Sequence, residues 1–212
     1  MNSFQRTHGA VGSFARGLQA LLLVTLLSTP SPVGAEPAMW AIDKDYTNVT
    51  FSWNHVGVSR QSARMLDVSG LLTFDPAAPE QASIDVVLRV SSLWTGVETF
   101  DKLLRSADFF DAAKHPTITF RGTEVRRITD KTGELEGDLT IMGIVKPVTL
   151  KVTWNFSGEH PLGAINANYK DKHVSGFSAT TRLLRSDWGI KRGIPLASDE
   201  IDITIETELV RK

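Results

Sequence analysis

Apolar residues recur at every second position in eight separate stretches of the chain after residue 47. This period is typical of β-strands that bury one face and expose the other. The intervening residues are mostly polar, as with Thr149, Lys151 and Thr153. The pattern therefore predicts eight strands. Their apolar faces are Val49, Phe51 and Trp53; Leu66, Val68, Gly70, Leu72 and Phe74; Ala82, Ile84, Val86, Leu88 and Val90; Ile118 and Phe120; Leu135, Gly137, Leu139 and Ile141; Val148, Leu150, Val152, Trp154 and Phe156; Phe177, Ala179, Thr181 and Leu183; and Ile201, Ile203 and Ile205.

One stretch has a helical period instead. Phe100, Leu103, Leu104 and Ala107 lie three or four positions apart, as on one face of a helix. Thr95 and Glu98 have the spacing of a capping box, which would start the helix just before this stretch. The sequence predicts a short helical segment over about residues 97–111.

The gaps between several strands are too short for the crossover that parallel strands need, so the sheet is expected to be antiparallel. Such strands can form a sandwich or close into a barrel, and the pattern alone leaves both open. Small residues on the inward faces either leave room inside or mark bends in the strands. They are Gly70, Gly137, Ala82 and Ala179.

The first 35 residues have the features of a secretory signal peptide. Arg6 and Arg16 precede a mainly apolar stretch at residues 18–27, and Val33-Gly34-Ala35 offers a cleavage site. That stretch is shorter than the ~20 residues that a membrane helix needs, so no permanent anchor is expected. We predict a leader at residues 1–35 and a secreted domain at residues 36–212.

Composition narrows the function classes. The chain has 212 residues, 22% of them charged, and a formal net charge of −1, so it lacks the basic footprint of a nucleic-acid-binding protein. It contains no cysteine, which excludes disulfides, thiolate metal sites and a cysteine nucleophile. No common catalytic or nucleotide-binding motif is present.

Several polar side chains are candidates for a catalytic or metal-binding role. His160 and His173 flank a polar loop, but their spacing is not that of a compact metal site, and no metal is predicted. His55 extends the Phe51 and Trp53 face and is either a proton-transfer group, a polar contact for a ligand or a structural residue. Asp101 belongs to a charged cluster that could serve acid–base chemistry or simply cover a helix surface.

Short segments in a fixed order carry a family resemblance. They are Trp40-Ala41-Ile42-Asp43; Phe51 with His55-Val56-Gly57; Gly70 with Phe74-Asp75; Asp101 with Leu104-Arg105-Ser106-Ala107-Asp108-Phe109-Phe110; His115-Pro116 with Thr119-Phe120; Gly137-Asp138-Leu139-Thr140-Ile141 with Gly143 and Lys146-Pro147-Val148; Gly176-Phe177; and Asp187-Trp188-Gly189-Ile190. From about residue 40 to about residue 210, the chain resembles the YceI-like family of periplasmic polyisoprenoid-binding proteins.

The resemblance implies an all-β protein, an eight-stranded antiparallel lipocalin-like barrel capped by the helical segment. It implies a periplasmic location and an elongated apolar cavity for an isoprenoid chain or a quinone tail. It implies neither a catalytic residue nor a cofactor other than the bound lipid, and family analogy suggests a homodimer. Strand parity predicts the lining as Phe51, Trp53, Val68, Leu72, Ile84, Val86, Phe109, Phe120, Leu139, Val152, Trp154 and Phe177, with His55 as a polar contact at the mouth.

Two other functions remain open from the sequence. The first is an enzyme that acts on a lipid or quinone head group at the barrel mouth, with His55 or Asp101 as the proton-transfer residue. The second is a structural or stress-related periplasmic module whose barrel is filled by side chains. A convergence of polar groups on the mouth would favour the enzyme, and a barrel without a cavity would favour the structural module.

Overall fold

The computed structural model describes residues 37–75 and 77–212. The predicted leader, residues 1–35, lies outside the described residues, so the leader and the domain boundary after it stay predictions. In the described part of the chain, no helix has the length and apolar composition required to cross a bilayer.

The regular structure of the described residues consists of ten strands, one α-helix and four short 3-10 turns. The strands are β1 (Ala38–His55), β2 (Ser59–Met65), β3 (Val68–Phe74), β4 (Ser83–Arg89), β5 (Leu93–Trp94), β6 (Thr117–Arg127), β7 (Thr132–Ile141), β8 (Ile144–Glu159), β9 (His173–Leu184) and β10 (Glu200–Arg211). The helix, α1, is Glu98–Arg105.

The sheet closes on itself because β1 and β10 pair with each other, from Trp40 opposite Arg211 to Ser52 opposite Asp202. Around the ring, β1 is followed by β10, β9, β8, β7, β6, β4 and β3, and β3 pairs again with β1. Every one of these pairings is antiparallel. Closure pairs the edges that an open sheet would leave unpaired. The predicted eight-stranded antiparallel barrel is confirmed.

Two of the barrel strands are interrupted. β2 continues β3 and pairs with the second half of β1, while β5 continues β4 and pairs with β2. The Ser92 hydroxyl accepts hydrogen bonds from the backbone N–H groups of Leu66 and Asp67, at 3.2 and 2.9 Å, and so holds the break between β2 and β3. Leu66 is therefore turned outward and is 48% exposed, and its predicted place on the inward face is wrong.

Two further strand predictions are corrected by bulges. β1 begins at Ala38, well before the first predicted residue, Val49. The first part was missed because a register shift between Asp43 and Asn48 interrupts the alternation of apolar and polar residues. A second shift, between Trp154 and Phe156 in β8, turns Phe156 outward, although the parity of the strand had predicted it on the inward face.

The helix starts without the predicted capping box. Instead of capping α1, the backbone N–H and the hydroxyl of Thr95 both donate to one carboxylate oxygen of Asp101, each at 2.6 Å. The side chain of Glu98 points into solvent and pairs with Lys102. Thr95 thus connects the loop before α1 to Asp101 on the buried face of the helix. After α1, the chain forms turns at residues 107–110 and 112–114.

The antiparallel order places the connecting segments at two ends. The helix end of the barrel consists of α1, residues 106–116 and residues 185–199. These segments adjoin the last residues of β4 and β9 and the first residues of β6 and β10. We call the opposite end, formed by residues 128–131 and 160–172, the hairpin end. The main hydrophobic core lies towards the helix end, and a smaller cluster around Trp40, Phe74 and Leu209 lies towards the hairpin end.

Candidate functional site

The barrel encloses a cavity of about 560 Å³ whose lining comes from every strand of the ring. The volume lies within the range of about 300–1,000 Å³ that is typical of small-molecule sites. The lining is almost entirely apolar, and residues of both ends contribute to it. The barrel is therefore hollow. A structural module whose barrel is filled by side chains would have no such cavity.

The aromatic side chains of the lining form two groups. Phe51, Trp53, Phe100 and Phe110 contact one another towards the helix end, with ring centroids 5.8–5.9 Å apart. Towards the hairpin end, the Phe74 ring lies 5.5 Å from the Trp154 ring and 5.7 Å from the Phe177 ring. Between the two groups, the inward positions carry mainly smaller aliphatic residues. Examples are Val49, Val86, Val152, Ala179, Ile203 and Ile205.

All twelve residues predicted from strand parity line this cavity. They are Phe51, Trp53, Val68, Leu72, Ile84, Val86, Phe109, Phe120, Leu139, Val152, Trp154 and Phe177. His55, the predicted polar contact, also lines it, at the last residue of β1 and opposite Ala197 of the helix end. Their contact with a ligand stays a prediction.

Two inward glycines do not add free space to the cavity. A Cβ atom at position 137 would lie 2.4 Å from Cζ of Phe120, so the Phe120 ring already occupies that place. A Cβ atom at position 70 would lie 2.6 Å from the carbonyl oxygen of Asp85 and 2.9 Å from Cδ1 of Ile42. Both glycines permit close approach between neighbouring strands.

Phe109 is the one predicted lining residue that lies outside the regular strands, and the other lining residues there were not predicted. Phe100 and Leu104 come from α1, and their helical spacing could have identified them. Trp188, Ile190 and Leu196 come from the segment between β9 and β10, which has no period that a sequence argument could use. These residues close much of the helix end.

Arg185 organises that closing segment. Its guanidinium is buried and donates hydrogen bonds to four backbone carbonyl oxygens at 2.9–3.0 Å. Burial lowers the pKa of the guanidinium, and the nearby charge of Asp199 opposes that effect. The acceptors are the carbonyls of Ile190, Arg192, Ala197 and Ser198.

The Asp199 carboxylate fixes the start of the same segment. It accepts hydrogen bonds from the backbone N–H of Ser186 at 2.9 Å and from its hydroxyl at 2.6 Å. Burial acts to raise the pKa of Asp199, but the two Ser186 hydrogen bonds and the charges of Arg185 and Lys191 outweigh it and hold the pKa below its usual value. The charged carboxylate therefore stabilises the folded state.

We expect Asp199→Asn to lower the melting temperature by a few degrees at neutral pH and to lose this effect in acid. Because folding depresses the pKa of Asp199, its contribution is fully present above the unfolded-state pKa of about 3.9 and is lost as pH falls through the folded-state value. Melting temperatures of both proteins between neutral pH and pH ~3 measure the difference. Asp187→Asn, a change at an exposed position in the 3-10 turn that contains Ser186, is the control and should leave the pH profile unchanged. A constant gap between wild type and Asp199→Asn at all pH values would contradict the prediction.

The candidate catalytic and metal-binding groups do not converge on one place. Asp101 is buried beneath Thr95, with its other carboxylate oxygen 3.9 Å from Arg105, and it does not line the cavity. His160 stacks on the Tyr169 ring at 4.0 Å at the hairpin end, whereas His55 is at the helix end. Among residues 37–75 and 77–212, no group of three or more His, Cys, Asp or Glu side chains is arranged to hold a metal ion.

Comparisons of the sequence place this chain among known proteins. A family model described as the YceI-like domain matches residues 40–209. A protein of Pseudomonas putida strain F1, named UPF0312 protein, is 38% identical over 196 residues, which cover 91% of this chain and 96% of the relative. Another UPF0312 protein, from Azotobacter vinelandii, is 35% identical over 185 residues, which cover 85% of this chain and 92% of the relative.

Comparisons of the structure find the same barrel in solved proteins. The Campylobacter jejuni YceI protein matches with a TM-score of 0.65 and 30% identity, over 75% of this chain and 90% of that one. Burkholderia cenocepacia BcnA matches with a TM-score of 0.68 and 21% identity, over 79% of this chain and 98% of that one. A polyisoprenoid-binding domain from Saccharophagus degradans, implicated in plant cell wall breakdown, matches with a TM-score of 0.59 and 10% identity, over 84% and 100%. The last two matches show a shared fold only.

Proposed function

Because this chain belongs to the YceI-like family, we propose that it binds an isoprenoid or another long-chain lipid inside its barrel, a quinone tail being one such ligand. The observation that carries the proposal is the apolar cavity between the two ends. The Saccharophagus domain that is described as polyisoprenoid-binding shares only the fold with this chain, so it adds support for a barrel able to hold such a ligand. The lipid would be transported, stored or sequestered rather than converted.

The energetics of apolar burial support a lipid ligand. Removing one CH₂ group from water contributes about 0.8 kcal/mol, so about ten buried carbons contribute ~8 kcal/mol before the costs of association. That free energy corresponds to roughly micromolar binding if nothing opposes it. A prenyl chain has more carbons than this, and the excess can offset the ordering of a flexible chain.

The placement of polar groups favours binding over catalysis. A proton-transfer site needs an acid or base at the place where the reacting group lies. Of the two candidates, Asp101 is bound by Thr95 and does not line the cavity, whereas His55 lines the cavity at the helix end. The proposal therefore includes no reaction step.

The proposal includes secretion to the periplasm. The basic start, the apolar stretch at residues 18–27 and the small residues before position 36 are the sequence features that support it. In an aqueous compartment a long-chain lipid needs an apolar shelter, and the barrel offers one. Homodimer formation stays a prediction from family analogy.

The test is to identify what the protein holds. We expect protein that is purified from the periplasm without detergent to carry a prenyl lipid, detected by native mass spectrometry and by solvent extraction, or to take up added geranylgeraniol. Trp53 and Trp154 line the cavity, so uptake should also change tryptophan emission. Protein that is consistently empty, and that takes up no prenyl lipid, would overturn the proposal.

A further inference from the structure

Thr47 and Thr207 form a pair of polar side chains in the lining on the hairpin side of the cavity. The rim of the same end carries further polar lining residues, which are Arg127, Thr129, Asp130, Lys131, Thr132 and Glu134. Thr47 comes from the bulged part of β1 and Thr207 from β10, and both line the cavity. Their hydroxyl oxygens are 2.8 Å apart. Thr207 lies opposite Phe177 in the β9–β10 ladder, so the pair sits beside the aromatic group of Phe74, Trp154 and Phe177.

The direction of the hydrogen bonds within this pair follows from the number of protons. The Thr47 hydroxyl is 2.7 Å from the carbonyl oxygen of Asp43, which can only accept, so the single proton of Thr47 is donated there. The bond between the two hydroxyls must then be donated by Thr207 to Thr47. Thr207 has consequently used its proton, and the remaining capacity of its oxygen is that of an acceptor.

We propose that Oγ1 of Thr207 accepts a hydrogen bond from a hydroxyl group of the bound lipid. The inference rests on the proposed function and narrows its ligand class. The cavity would favour a lipid with an alcohol or hydroquinone hydroxyl over one whose oxygen is an ether or a carbonyl, because neither of the latter offers a proton to Thr207.

The surroundings strengthen this selection. A hydroxyl that is buried among aromatic rings without an acceptor loses its hydrogen bonds to water, which is costly. The indole N–H of Trp154 is directed at the carbonyl oxygen of Phe156, 3.0 Å away, and at the Ser175 hydroxyl, 3.2 Å away, so it does not serve a ligand carbonyl. The exposed ammonium of Lys131, 4.3 Å from the Trp154 ring, could donate to either kind of oxygen and does not discriminate between them.

The experiment compares two ligands with the same chain, geranylgeraniol and its methyl ether, by fluorescence titration of the full protein. In Thr207→Val, which keeps the shape of the side chain and removes the acceptor, we expect the ratio of alcohol affinity to ether affinity to fall about tenfold, the effect of one hydrogen bond in an apolar site. The ether affinity should change little. Thr181→Val removes another hydroxyl of the same lining and is the matched control, in which the ratio should stay at the wild-type value.

A second variant tests the direction of the bonds. In Thr47→Val, Thr207 loses the acceptor for its proton and can turn that proton towards the ligand, so the ratio should also fall, this time because ether binding improves. An unchanged ratio in Thr207→Val, or equal affinities of both ligands for the wild type, would overturn the inference and leave the proposed function standing. Failure of both ligands to bind the wild type would overturn both.

Discussion

Ala179→Phe is expected to lower the affinity for a prenyl lipid by about a hundredfold, because the added ring would fill the space that the chain occupies. Ala179 is an inward residue of β9, it lies opposite Val152 of β8 and Ile205 of β10, and all three side chains line the cavity at mid-height. A ring at this position would separate the two aromatic ends of the hollow. Titration with geranylgeraniol, followed by tryptophan emission, measures the loss.

The fold should survive this substitution. A side chain that enters an existing cavity adds apolar contacts, so the melting temperature should stay within a few degrees of the wild-type value or rise. Thr180→Phe places the same ring on the exposed face of the same strand and should leave lipid affinity unchanged. Wild-type affinity in a folded Ala179→Phe protein would show that the lipid binds outside the barrel.

The strands of the barrel could be predicted because nearly every strand exposes one face to water. The alternation of Val148, Leu150 and Val152 with polar neighbours persists over most of β8, and one-sided burial of this kind is what a period of two records. Closure was not visible in the pattern. It depends on the pairing of the two terminal strands, β1 and β10, and the resemblance to known barrels, rather than the period, predicted it.

Local hydrogen bonds explain where the strand predictions failed. Ser92 is far from Leu66 in sequence, yet its hydroxyl holds the backbone that turns Leu66 outward. From Asp43 to Asn48, β1 advances five positions while β10 advances two, and from Trp154 to Phe156, β8 advances two positions while β9 advances one. Each bulge adds an odd number of residues and so reverses the parity of the residues that follow, and the apolar pattern does not reveal such insertions. No strand was predicted at β2, because Ser59–Met65 carries few apolar residues, or at the two-residue β5. The errors lie at the bulges and at the two interrupted strands.

Apart from Phe109, the cavity lining was predictable only as far as the strands extend. In a closed barrel, every second residue of a strand faces the interior, so strand parity alone placed residues such as Val86 and Val152 on the lining. The closing segment between β9 and β10 follows no period. Its conformation is fixed by Arg185, and the sequence gives no sign that this arginine is buried among carbonyl groups while Arg182, three residues earlier, is exposed.

Arg185→Met should lower the free energy of unfolding by about 3 kcal/mol, even though methionine fits a buried site well. The guanidinium donates to four carbonyl oxygens, and methionine has no donor with which to replace it. Those carbonyls must then stay unpaired or turn to water, which would release residues 190–198 from the helix end. Lysine is a poor substitute because its three donors on one nitrogen cannot match the planar fork of an arginine. Denaturant unfolding measures the stability change, and hydrogen exchange of the amides in residues 190–198 shows whether the segment has been released.

Arg182→Met is the control that separates burial from charge. Arg182 pairs with Asp202 and Glu200 on the outside of the barrel, where its side chain is 61% exposed, and exposed ion pairs contribute ~1 kcal/mol or less. The two substitutions remove the same charged group from positions three residues apart, so a large difference between them must come from the buried carbonyl contacts. Equal effects on stability would mean that the helix end is held by the apolar packing of Trp188 and Ile190 rather than by the arginine. If Arg185 is responsible, the released segment should also weaken lipid retention, since Ile190 and Leu196 line the cavity, and the rate of lipid dissociation should rise in Arg185→Met and stay unchanged in Arg182→Met.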